Sequence, residues 1–152
     1  MTFIYRLFSL VINTVAILLC LSFLFSIPML FSSTLTMLSA FMIISVILYS
    51  WFSFRFRREV LQRHLEVSRS LRDWVRVNGF VSIFFSVLTV MNILYLLQNP
   101  NQFAEALKNY HVAIDMKSLT GFFYAMLTYG VFLLTHILWT FALMKKNERF
   151  FI

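Results

Sequence analysis
The chain has 152 residues, 61% hydrophobic and 12% charged, with 13 Lys and Arg against 6 Asp and Glu for a formal charge of +7. An average soluble domain is about 25% charged, so this composition excludes a soluble fold, which could not hide so much apolar surface. A lone cysteine, Cys20, also excludes an internal disulfide and any paired-thiol redox site.

Residues 7–31, 35–54, 80–97 and 122–144 contain no Asp, Glu, Lys or Arg. At about 1.5 Å rise per residue, runs of roughly 18 or more apolar residues cross a hydrocarbon core of about 30 Å as α-helices. The expected fold class is an all-α integral membrane protein, a single domain over residues 1–152. It comprises four transmembrane helices in an up-down bundle, a cytoplasmic amphipathic connector at 55–78 and a short helix in the outer loop at 98–120.

The first run is too long for a signal-peptide core and has no small-x-small cleavage site after it, so it is expected to be a retained helix. Leu19 is too bulky for Cys20 to be a lipoprotein acceptor. Pro28, near the end of the run, fits a terminal bend or exit. Asn13 shares a face with Ser9, Ala16 and Cys20, an arrangement that suits polar packing between helices.

Past the second run, the connector carries Arg55, Arg57, Arg58, Arg63, Arg69, Arg72 and Arg76. Neither Gly nor Pro occurs from Leu35 to Asn78, yet a straight helix over 55–78 would reach roughly 35 Å beyond the membrane. Two solutions remain: a helix lying flat on the bilayer, or a helical hairpin turning at Val67-Ser68-Arg69-Ser70, which we favour. Val60, Leu61, His64, Leu65, Val67, Leu71, Trp74 and Val75 form one helical face and most of the charges the other. Arg58, Arg69, Arg76 and Trp74 are the candidate contacts to lipid or a partner. Ser70, three residues before Asp73, is the candidate cap of the helix entering the third span.

In the third span, Ser82, Ser86, Thr89 and Asn92 read as polar packing positions. Asn99, Pro100 and Gln102 resemble the start of a helix. That helix would run to about Tyr110, lying over the bundle mouth by Phe103 and Leu107, with His111 solvated beyond it.

The fourth span contains His136, and an ionisable group within a membrane is a functional candidate by default. On a helical wheel it falls on a broad face with Gly121, Ala125, Thr128, Thr135 and Trp139. The favoured reading is a neutral histidine hydrogen-bonded to a neighbouring helix, with Thr135 beside it and Gly121 and Ala125 allowing close approach. The alternative is an axial haem ligand or quinone contact, whose second histidine would have to come from another subunit.

Eleven basic residues fall at Arg6, in the connector and at Lys145, Lys146 and Arg149; the other side has only Lys108 and Lys117, matched by Glu105 and Asp115. By the positive-inside rule both termini and the connector are expected in the cytoplasm. Tyr5, Tyr49, Trp51, Trp74 and Trp139 would mark the inner interface, Tyr95 and Tyr124 the outer.

Several chemistries lack their residues. With no carboxylate in any span, a proton- or cation-coupled exporter has no embedded acid. Cys-x-x-Cys, His-Glu-x-x-His, a Ser/His nucleophile pair with a Gly-rich elbow and a phosphate-binding Gly-rich loop are all missing. The expectation is a non-enzyme with no metal and no cofactor: an accessory, assembly or scaffold subunit. Its partners would be the bilayer, anionic lipid, a membrane protein or a second copy of itself, and not nucleic acid. A redox or transport-complex subunit using His136 is the alternative.

Overall fold
The computed structural model describes residues 2–28, 33–99 and 116–152. Four helices dominate: α1 (Thr2–Ser26), α2 (Thr34–Phe56), α3 (Arg69–Gln98) and α4 (Met116–Lys146). Each is long and apolar enough to cross a membrane.

The helices extend beyond the charge-free runs. Helix α3 starts eleven residues before Phe80, and α4 starts six residues before Phe122. Backbone hydrogen bonding propagates through polar residues as well as apolar ones, so the limits of a charge-free run do not mark the helix ends. Local chemistry sets those ends. α1 stops two residues before Pro28. α2 opens on a capping box: the Thr36 amide donates to Ser33 Oγ at 3.2 Å, and the Ser33 amide to Thr36 Oγ1 at 3.1 Å.

The connector folds back between two helical segments, as the favoured hairpin does, but its turn lies earlier than expected. Helix α2 passes into a π-helical turn over Arg57–Gln62, and His64 takes a left-handed φ of 54°. The chain then runs extended to Ser68, whose Oγ accepts the Ser70 amide at 3.2 Å and caps α3, so Ser68 takes the role expected of Ser70. The reversal therefore lies before residues 67–70. Those residues are held by the tail: the Val67 amide donates to Phe150 O (2.8 Å), Ile152 N to Val67 O (3.0 Å) and Arg69 N to Ile152 O (3.1 Å). A backbone paired in this way cannot also make the turn. The expected apolar face divides accordingly, with Val60, Val67, Leu71 and Val75 buried but His64, Leu65 and Trp74 exposed.

Asn99 closes α3, its amide and its Nδ2 both donating to Tyr95 O at 3.0 Å. The outer-loop helix expected after it, with Phe103, Leu107 and His111, lies outside the described residues.

Helix α3 packs along both α2 and α4, while α1 packs on α2 and α4. Two glycines let α3 and α4 approach. A Cβ on Gly79 would stand 2.7 Å from the Phe141 ring, and one on Gly130 would stand 2.9 Å from Val90 Cγ2. Beside the latter contact the Ser86 hydroxyl donates to Gly130 O at 2.5 Å. Gly121, by contrast, faces open space and Ala125 is exposed, so neither provides the close approach expected of it. At the basic end, Phe56 stacks on Phe151 with centroids 6.0 Å apart, above buried Val60, Val67 and Leu71.

Candidate functional site
The most connected polar group in the described structure is buried among α1, α2 and α4. Thr140, one turn beyond His136, donates its hydroxyl to the His136 carbonyl at 2.7 Å and can therefore only accept from other neighbours. Tyr49 donates to Thr140 Oγ1 at 3.0 Å, and Tyr5 Oη stands 3.0 Å from the same oxygen. With its proton committed to Thr140, Tyr49 Oη accepts from His136 Nδ1, 2.8 Å away. A neutral imidazole has one N–H, so the proton sits on Nδ1 and Nε2 holds a bare lone pair. That Nε2 is buried and has no hydrogen-bond partner among the described residues, as is true of Ser9 Oγ and Tyr129 Oη. Tyr5 lies flat on the imidazole, centroids 4.9 Å apart and planes 11° from parallel.

Two other helices thus close on His136, α1 through the Tyr5 ring and α2 through the Tyr49 hydroxyl. These hydrogen bonds tie α1, α2 and α4 to one another, and no carboxylate takes part in them among the described residues. Tyr5 and Tyr49 are 3% and 0% exposed, which removes both from the interfacial belt expected of them. The helix face also differs from expectation: His136 sits with buried Tyr129, Leu133, Ile137 and Thr140, whereas Thr128 and Thr135 are exposed. Thr135 satisfies its hydroxyl on its own helix, at Val131 O (2.8 Å), and is not an interhelical packing residue.

The remaining expected packing residues separate in the same way. Ser82 and Ser86 are buried, Ser82 bonding Asn78 O at 2.7 Å on its own helix. Asn92 is exposed. Six residues past Ser86 is 600° of helical rotation, which carries it off the buried face and corrects the reading of it as interhelical packing. Asn13 does meet another helix: the buried Ser50 hydroxyl donates to its Oδ1 at 2.5 Å. Next to this pair a groove of about 410 Å³ opens between α1 and α2, lined by Ala16 and Cys20 on one side and by Trp51 and Phe54 on the other. His136 is not part of its lining.

The candidate contacts at the basic end are all accessible. The Arg58 side chain is 51% exposed and 4.0 Å from Glu59; Arg69 and Arg76 are exposed as well. Trp74 is half exposed and stacks on Phe52 at 5.6 Å. Arg72 is taken by Asp73 and Glu148, at 3.4 and 3.3 Å. Among the described residues no three His, Cys, Asp or Glu come together.

Tyr5, Tyr49, Ser50 and Thr140 are the hydrogen-bonded neighbours of His136 and Asn13 that sequence reasoning missed. One signal pointed to α2: Ser45, Tyr49 and Ser53, four residues apart and all buried, make a polar stripe in an apolar run.

No protein-family model, curated protein or solved structure matches this chain. Its geometry alone defines it as an all-helical protein with four helices able by length and composition to span a membrane.

Proposed function
We propose that this chain is a non-enzymatic accessory or scaffold subunit of the membrane, inserted as an up-down four-helix bundle with its basic end in the cytoplasm. There the exposed cations hold anionic headgroups or the acidic surface of a membrane partner. The observation that carries this reading is the set of uncommitted cations at one end. Arg63, Arg69, Arg76, Lys145 and Lys146 are exposed and have no carboxylate within ion-pair distance among the described residues. Each such cation near an anionic surface contributes about 1 kcal/mol. Trp74 beside Phe52 supplies an aromatic anchor at the same end.

The test replaces Arg58, Arg69 and Arg76 together with Gln and compares partner protein and anionic lipid retained on purification from native membranes in mild detergent. Retention should fall and lose most of its salt sensitivity. Unchanged retention of both would remove the basic end as a contact surface. A redox subunit is favoured by one observation, the unpartnered Nε2 of His136. A haem absorption spectrum in the purified protein that vanishes in His136→Gln would move the assignment there.

A further inference from the structure
The groove between α1 and α2 has a feature that the basic end does not explain. Its walls are apolar, but Asn13 lines it. The amide is half satisfied: Oδ1 accepts from Ser50, while Nδ2 has no hydrogen-bond acceptor among the described residues. Asn13 is seven residues past Arg6, which places it about 10 Å further along α1 and well inside the apolar part of the span. An amide donor in hydrocarbon is costly unless it is bonded, and no water is available at that depth.

That requirement selects the occupant. An acyl chain could fill the groove but has no acceptor, and lipid ester oxygens stay at the boundary of the hydrocarbon. What enters must bring a hydrogen-bonding group at the depth of Asn13. We propose that the occupant is a second copy of this chain, related by a twofold axis along the membrane normal, with the two Asn13 amides hydrogen-bonded to each other across it. Such an axis leaves every residue at its own depth, so Asn13 necessarily meets the level of Asn13. A carboxamide is both donor and acceptor, and Oδ1 has a second lone pair beyond the one Ser50 uses, so the pair is reciprocal. Cys20, seven residues past Asn13, continues the same wall of the groove with a side chain small enough for a close helix approach, while Ala16 between them is buried at its floor. The dimer rests on the proposed insertion in a membrane but not on what the basic end binds, so loss of headgroup or partner binding leaves it standing and a monomer leaves that binding standing.

Reconstitution of the full chain in lipid bilayers at low protein-to-lipid ratio, with the oligomeric state counted by single-molecule photobleaching, tests it. The unmodified protein should be dimeric. Asn13→Leu should weaken the dimer by roughly tenfold, Asn13→Gln should keep it, and Asn92→Leu, which removes an exposed amide from another helix, should leave it unchanged. A short bifunctional thiol reagent should link two copies through Cys20 in native membranes and fail in Cys20→Ala. Monomers throughout, a dimer indifferent to Asn13→Leu, or a monomer that retains a lipid chain in the groove would each overturn the proposal. Misfolding of Asn13→Leu would not obscure the result, because dimers of the unmodified protein and of Asn13→Gln, with monomers of no other variant, are required in any case.

Discussion

Tyr49 is the member of the buried network that both donates and accepts, giving its proton to Thr140 and receiving one from His136. Tyr49→Phe leaves the Nδ1 proton buried without an acceptor and should cost about 1–3 kcal/mol. His136→Leu leaves only a Tyr49 lone pair unused, since the Tyr49 proton still reaches Thr140. With both replaced, the stranded donor is gone. The double variant should therefore be less destabilised than the sum of the singles by about 1 kcal/mol or more in detergent unfolding; strict additivity would contradict the assigned proton positions. At this scale the sequence pointed to His136 but not to its partners. Helical spacing tells which residues of one helix share a face, whereas the heights at which two helices meet depend on packing across the whole bundle. The same limit misplaced Thr135, next to His136 in the chain but turned outward, and Asn92, which the rotation of α3 carries away from Ser82 and Ser86.

Among elements, the helices were legible and their junctions were not. Charge-free runs marked four helices correctly because the hydrophobic signal extends over some twenty residues. The glycine contacts show where that signal ends: Gly121 and Gly130 look alike in sequence, yet only Gly130 meets a neighbour. Gly79→Ala would drive a methyl into the far end of the Phe141 ring, which must swing aside, and should destabilise by up to about 1–3 kcal/mol. Gly121→Ala meets nothing and should be neutral or stabilising by up to about 1 kcal/mol through helix propensity. Thermal unfolding of the two variants in one detergent checks the contrast, and equal effects would contradict the α3/α4 contact. The connector's turn was misplaced for a related reason. It was assigned from local residues, but pairing of Val67 and Arg69 with the tail, more than eighty residues away, decides the path. Phe151 is 5% exposed under Phe56, and Phe151→Ala should lose up to about 3–5 kcal/mol of packing there. Trypsin should then cut after Arg63 and Arg69 faster than in the unmodified chain, and an unchanged rate would mean that the tail does not hold the connector.

For the whole molecule, composition and the placement of charge point to a membrane, and the described contacts gather the basic ends together. Arg57 reaches the Arg6 carbonyl at 3.4 Å, and Arg72 pairs with Glu148 at 3.3 Å. The basic residues therefore lie at one end although they come from three stretches of sequence, and these contacts, with the pairing of Val67 and Arg69 to the tail, bring together parts far apart in the chain. The α1/α2 groove could not be read in advance, because it belongs to neither helix alone. What the proposed function adds to these features is an orientation, with the gathered basic end on the cytoplasmic side and position 110 on the other. In a Cys20→Ala background, single cysteines introduced by Asn147→Cys and Tyr110→Cys can be challenged with a membrane-impermeant thiol reagent on intact cells. Labelling at position 110 and protection at 147 until the membrane is permeabilised is the expected result; labelling at 147 and not at 110 would contradict the account.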